Sequence, residues 1–191
     1  MKVFYVARHG KTEYNEQKRL QGWIDTPLTE KGIANARNIT AKVKGKNITA
    51  VYSSDLGRAF RTAYLVTQEV GVFSEIRVVK DLREVSFGEY AGMLIDEAEQ
   101  KYPDLQKVTG YVPLGGESLA AMQTRVLNFL YTVEDSEAVL LVTHDSVINA
   151  IYAAYAKIDL GTYNVEHYNE NDFVAKVVID NGRIIEFSEV S

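Results

Sequence analysis

Three stretches of this chain are apolar without interruption, Val3–Ala7, Ala50–Tyr52 and Ala138–Val142. None shows the alternation of a strand with one wet face, so each reads as a strand in a sheet covered on both sides. The segments between them can supply the cover. Thr29–Val43 spaces Ile33, Ala36, Ile39 and Val43 along one helical face, with Thr29 placed to cap. Asp55–Val70 carries Phe60, Ala63, Tyr64 and Val66, the helix-like Glu117–Val133 precedes the third run, and Ser146–Ala156 follows it. This alternation predicts an α/β fold, a three-layer α/β/α sandwich with a mostly parallel central sheet. The tail differs: Asp172–Ile179, the Asn181-Gly182 pair and Arg183–Ser188 predict a C-terminal hairpin adding antiparallel edge strands.

A chain of 191 residues suits one domain over 1–191, and no repeat, linker or low-complexity tract divides it. The least regular part, about 87–117, holds two of the three prolines and is expected to cover one end of the sheet. There is no cysteine, which excludes disulfides, a thiolate metal site and a cysteine nucleophile. The net charge of −5, with no local cluster of Lys and Arg, argues against a nucleic-acid partner. The apolar run at the N-terminus is too short for a signal peptide and no segment could span a bilayer, so a cytoplasmic protein without a membrane partner is expected.

Ligands of open parallel sheets bind beyond the C-terminal strand ends. Those ends carry Arg8-His9-Gly10, Ser53-Ser54-Asp55 with Arg58 one turn later, and Thr143-His144-Asp145, while Leu82-Arg83-Glu84 follows the apolar stretch Ile76–Val79. Two of the three histidines therefore fall on one rim with two arginines and a glutamate. A phosphoryl group in transfer needs positioning and charge stabilisation, which arginine forks supply. Neutral imidazole is a competent nucleophile near pH 7, and a carboxylic acid can protonate the leaving oxygen. The set His9, Arg8, Arg58, His144 and Glu84 fills these roles, and no carboxylate cluster near it calls for a divalent ion. The expected partner is a small phosphorylated metabolite, with no cofactor and no metal.

The stretch Arg8-His9-Gly10-Lys11-Thr12-Glu13-Tyr14-Asn15 resembles the signature of the histidine phosphatase superfamily, in the branch that includes cofactor-dependent phosphoglycerate mutase. The resemblance continues in order through Leu20-Gln21-Gly22, Asp25–Gly32, Ser53–Ala59, Leu82–Gly92, Gly115-Gly116-Glu117-Ser118 and Val142-Thr143-His144. It implies a phosphoglycerate mutase-like fold and a ping-pong reaction. His9 would accept the phosphoryl group, Glu84 would act as acid and then base, and Arg8, Arg58 and His144 would bind phosphoryl oxygens. It further implies contacts from Asn15, Gln21 and Gly22 to the phosphate or the attacking water. Mutases of the family tend to have a longer cover than this chain does, which favours a phosphatase over a mutase, and the presence of both His9 and Glu84 disfavours an inactive phospholigand-binding relative.

The chain departs from the family after the second histidine, where a glycine is common and an arginine often follows. Here the run is His144-Asp145-Ser146-Val147-Ile148-Asn149. Asp145 joins the candidate substrate-binding residues, although an anion there would oppose phosphate, and its carboxylate is expected instead to cap the following helix. Tyr90 and Tyr111 are expected to line a substrate pocket, and His167 to be a surface or structural residue.

Overall fold

The computed structural model describes residues 1–71, 75–102, 112–134, 138–160 and 170–191. Its elements run β1 (Lys2–Arg8), α1 (Glu13–Glu16), α2 (Glu30–Val43), β2 (Ile48–Ser54), α3 (Gly57–Val70), β3 (Ile76–Val79), α4 (Ile95–Lys101), α5 (Leu119–Thr132), β4 (Ala138–Thr143), α6 (Asp145–Ala156), β5 (Val174–Asp180) and β6 (Arg183–Glu189). They form one six-stranded sheet in the order β3-β2-β4-β1-β5-β6. The first four of these strands are mutually parallel, and β5 and β6 run antiparallel beside β1.

The uninterrupted apolar runs are explained by cover on both faces. In β1, Phe4 and Val6 point into a core shared with α5 and α6, while Tyr5 and Ala7 point into a second core shared with α2 and α3. In β4, Val139 and Leu141 join the first core and Leu140 and Val142 the second. A polar residue at any of these positions would lose its water on whichever side it faced. Among the described residues no helix is long and apolar enough to cross a membrane.

The expected C-terminal hairpin is present at one side of the sheet, and the expected face of α3 needs correction. Only β6 is an edge strand, because β5 pairs with β1 along its length, Phe4 opposite Val177. The opposite edge is β3, a fourth parallel strand formed by the Ile76–Val79 stretch. On α3 the buried face consists of Arg58, Ala59, Thr62, Ala63, Val66 and Thr67, whereas Phe60 and Tyr64 are 40% and 41% exposed. Small alanines let the helix approach the sheet closely, and the phase that buries Arg58 and Thr62 turns the large rings outward.

The cover contains a short 3₁₀ turn, Gly88–Tyr90, followed by α4. Tyr90 is 3% exposed and packs with Leu20 and Ala98, so it belongs to the cover's own core and not to a pocket wall. Tyr111 and His167 lie outside the described residues.

Candidate active site

The nucleophile candidate sits where β1 ends. His9 is 3% exposed, and its backbone N–H donates to the Thr143 carbonyl at 3.0 Å, continuing the β1–β4 ladder by one residue. The next residue must be glycine for a steric reason. Gly10 and Gly32 face each other so closely that a Cβ on Gly10 would strike the Gly32 carbonyl, and one on Gly32 would strike the Lys11 carbonyl. The start of α2 is thereby clamped against the turn. Thr29 caps α2 through Gly32 N–H at 3.1 Å and donates its hydroxyl to the Lys11 carbonyl. From the other side, Thr62 of α3 accepts the Gly10 N–H at 3.0 Å.

The bonds to the His9 ring specify its tautomer. Nδ1 lies 2.8 Å from the Gly10 carbonyl, which can only accept, so Nδ1 carries the proton. Nε2 lies 3.2 Å from Arg58 Nε, which can only donate, so Nε2 presents its lone pair. Burial, then the charges of Arg58 and Arg8, hold the imidazole well below its ordinary pKa. His9 is therefore neutral at pH 7, with a basic nitrogen beside two guanidinium groups.

Arg58, 2% exposed at the first turn of α3, is held mostly by main chain. Its Nη1 donates to the Ile24 carbonyl at 2.9 Å and its Nη2 to the Gly22 carbonyl at 2.7 Å. Gly22 adopts φ of +53°, a conformation that glycine takes without strain. Asp25 lies 3.5 Å from Arg58 Nη1 and also accepts the backbone N–H groups of Gly57 and Arg58, capping a helix whose own N-cap, Leu56, has no side-chain acceptor. Burial lowers the Arg58 pKa, and Glu84 and Asp25 oppose that shift.

His144, fully buried at the end of β4, sets its ring edge-on to His9 with centroids 5.1 Å apart. Its Nε2 shares a 2.9 Å hydrogen bond with the Ser54 hydroxyl at the end of β2. Its Nδ1 is buried and has no hydrogen-bond partner among the described residues. Burial, then Arg58, His9 and Arg8, keep it well below its ordinary pKa.

Glu84 lies on the same rim, 8% exposed. Its carboxylate accepts the Val85 N–H at 2.8 Å and the Ser146 N–H, at the start of α6, at 3.5 Å. Burial first, and then Asp145, push its carboxyl up against the pull of these bonds and of Arg58. Asp145 does not cap α6. The N-cap is His144, without a side-chain cap bond, and the Asp145 carboxylate turns to Arg8, Oδ1 standing 3.6 Å from Nη1. The reason is electrostatic, since Arg8 on β1 carries a full positive charge where the helix terminus carries about half of one.

The peripheral candidates are placed less directly. Asn15 uses its amide oxygen on the Thr12 N–H and hydroxyl, closing a capping box on α1, and on Asn171. Asn171 also donates to the His9 carbonyl at 3.1 Å. Gln21, 7% exposed, accepts the Thr26 hydroxyl at 3.1 Å. Each therefore has only its NH2 left for a phosphoryl oxygen. Gly22 contributes through its carbonyl on Arg58.

Several positioning residues carried no individual signal in the sequence. Thr62 and Asp25 support the His9 turn and Arg58. Arg125 of α5 donates to the carbonyls of Asp81, Arg83 and Glu84 and pairs with Glu117, fixing the strand-like segment that presents Glu84. The Trp23 indole N–H donates to the Glu84 carbonyl at 2.8 Å, and Arg83, bidentate to Asp55, lies 4.6 Å over the Trp23 ring. Beyond Glu84 opens a cleft of about 450 Å³ whose lining includes Trp23, Ile24, Ser86, Phe87, Glu89 and Leu114. Among the described residues no group of three or more His, Asp or Glu side chains could hold a metal ion.

Comparison with known proteins identifies the family. Residues 4–186 match the family model described as "Histidine phosphatase superfamily (branch 1)". The phosphoglycerate mutase-like protein 4 of Arabidopsis thaliana is 34% identical over 157 residues, covering 77% of this chain and 68% of the relative. The phosphoserine phosphatase 1 of Hydrogenobacter thermophilus is 30% identical over 168 residues, covering 83% and 78%. The solved structure of Bacillus stearothermophilus YhfR superposes with a TM-score of 0.88 at 30% identity, covering 99% of this chain and 96% of that one. With the match running almost end to end and the buried histidine pair at its centre, this chain belongs to branch 1 of the histidine phosphatase superfamily.

Proposed function

We propose that the protein is a phosphomonoester hydrolase working through a phosphohistidine on His9, with Glu84 as the proton donor and no metal ion. The observation that carries this reading is the fixed Nδ1–H tautomer of His9, which leaves Nε2 as a buried lone pair beside Arg58. Nε2 attacks phosphorus as the P–O bond to the alcohol breaks, and the Glu84 carboxyl gives its proton to the departing oxygen. Arg58, Arg8 and the unbonded Nδ1 of His144 stabilise the equatorial oxygens. Glu84, now a carboxylate, takes a proton from water as that water attacks the phosphohistidine, which returns His9 and releases phosphate. Asn15 and Gln21 offer their NH2 groups to the phosphate or to this water.

A mutase differs only in the second acceptor, an alcohol in place of water, and one relative at 34% identity is named a phosphoglycerate mutase-like protein. The cleft favours the hydrolase, because among its described lining residues there is no Lys or Arg to hold a carboxylate or second phosphate. The test is a phosphometabolite panel with rapid-quench trapping of an acid-labile phosphoenzyme. Wild type should release inorganic phosphate and His9→Ala should form no phosphoenzyme. Conversion of 3-phosphoglycerate to 2-phosphoglycerate faster than phosphate release would establish the mutase instead, and inhibition by EDTA would refute the metal-free reaction.

A further inference from the structure

The environment of Asp145 constrains what accompanies the phosphoryl group. Asp145 opens α6 directly after His144, and its side chain is 26% exposed. The 3.6 Å separation of Oδ1 from Arg8 is too long for a hydrogen bond, and Oδ1 accepts none among the described residues. One turn further along α6 is Asn149, whose amide oxygen is also buried and without a donor. Residues four apart on a helix are neighbours on one face, so this face offers two acceptors that lack donors.

Once a phosphoryl dianion occupies Arg8, the cation must be shared and a carboxylate stands beside the dianion. That arrangement opposes binding unless the substrate brings a positive charge of its own. The carboxylate is on the correct side to meet one. The N–H of the next residue, Ser146, donates to the Glu84 carboxylate at 3.5 Å, so Asp145 opens α6 beside the group at which the alcohol leaves. In the adjoining cleft Glu89 is the one charged lining residue described, next to the aromatic rings of Trp23 and Phe87. Arg83 over Trp23 is already tied to Asp55 by two hydrogen bonds of 2.7 and 2.5 Å. A carboxylate or second phosphate in the alcohol would be repelled by Asp145, whereas an ammonium would find a counter-charge there.

We propose that Asp145 is a specificity-determining residue that pairs with an ammonium group on the alcohol portion, so that aminoalkyl phosphomonoesters are the favoured substrate class. This rests on the phosphatase reading above. Burial pushes the Asp145 carboxyl up even beside Arg8, and a bound ammonium would draw it back down.

The experiment compares kcat/KM for three phosphates of matched size: 2-aminoethyl phosphate, 2-hydroxyethyl phosphate and phosphoglycolate. It uses wild type, Asp145→Asn and Asp145→Ser, with p-nitrophenyl phosphate run alongside. Wild type should prefer the amine to the neutral compound by about 10-fold or more and use phosphoglycolate least well. Either substitution should remove most of the amine preference through KM and should improve phosphoglycolate relative to the neutral compound. Absence of an amine preference in wild type, or an equal scaling of all three substrates in both variants, overturns the assignment. Should a variant fail to fold, inhibition of wild-type p-nitrophenyl phosphate hydrolysis by the three compounds gives the same ranking, and inhibition strongest for phosphoglycolate likewise overturns it. Wild type inert towards p-nitrophenyl phosphate would instead bring down the phosphatase reading, and the substrate class with it.

Discussion

Thr62→Val tests whether the nucleophile is held by the helix behind it. The two side chains are nearly the same shape, so the change removes a hydroxyl without opening a cavity. That hydroxyl accepts the Gly10 N–H at 3.0 Å and donates to the Arg58 carbonyl at 2.8 Å, within its own helix. Loss of the second bond matters little, because that carbonyl lies in the helical ladder. The first has no replacement: Thr62 is fully buried, and the Gly10 N–H would be left without an acceptor. Stranding a buried donor costs about 1–3 kcal/mol. For a chain of this size each kcal/mol lowers Tm by about 2–4 °C. The Gly10 carbonyl in turn holds His9 Nδ1–H, so a loosened Gly10 should misdirect the ring and lower kcat on the order of 10- to 100-fold, with little change in KM. Urea denaturation and steady-state kinetics on an alkyl phosphate would measure both effects, with Thr62→Ser as the control that keeps the hydroxyl. A Thr62→Val enzyme with wild-type kcat, or a Thr62→Ser enzyme that falls as far, would refute the role.

Glu84→Gln should lower kcat/KM for alkyl phosphates by about 100-fold or more while sparing kcat/KM for p-nitrophenyl phosphate, whose leaving group needs no proton, and should slow dephosphorylation of His9 alike for both; equal losses in kcat/KM on both substrates would remove Glu84 as the acid. For an alkyl phosphate, kcat/KM corrected for ionisation of the substrate should trace a bell-shaped pH profile. His9 is active when neutral, and its lowered pKa puts the acid limb below the ordinary 6.5, while Glu84 is active when protonated, and its raised pKa puts the alkaline limb above the ordinary 4.5. An acid limb at or above 6.5 in the corrected kcat/KM profile would contradict the neutral, buried His9. Arg125→Met should destabilise the fold by about 2–4 kcal/mol in urea, because it removes the cation paired with the largely buried Glu117 carboxylate and the side-chain donor to the carbonyls of Asp81 and Arg83. The same variant should lose alkyl phosphate turnover more than p-nitrophenyl phosphate turnover.

The layers and the site's centre were legible because they rest on signals local in the chain. A run such as Ala138–Val142 can only be a covered strand, and its end must bring Thr143 and His144 to the ligand rim. The face of α3 was not legible. Phe60 and Tyr64 have the right spacing for a core, yet the site requires Arg58 and Thr62 to face inward, and that demand comes from residues distant in sequence. Asp145 was misplaced for a related reason. Its position before an apolar helix reads as a cap, and only the parallel pairing of β1 with β4 reveals Arg8 beside it. Asp25 and Arg125 act through backbone groups, which leave no pattern of side-chain types to find. The tyrosine of the cover failed as a pocket residue because α4 and Leu20 enclose it.

The placement of β1 bears on how the molecule forms. The strand that leads to the nucleophile lies first in the chain, but its two neighbours, β4 and β5, come near the end, with Phe4 set against Val139 and Val177. Such pairings carry a large loop-closure entropy and fold slowly. During synthesis β1 would wait, apolar on both faces, until β4 and β5 had emerged, a condition that invites aggregation or chaperone capture. His9 could meet His144 only at that last stage. Refolding followed by recovery of activity should therefore lag behind refolding followed by helix content, and removal of β5 and β6 should cost the nucleophile its alignment even though neither strand supplies a catalytic group.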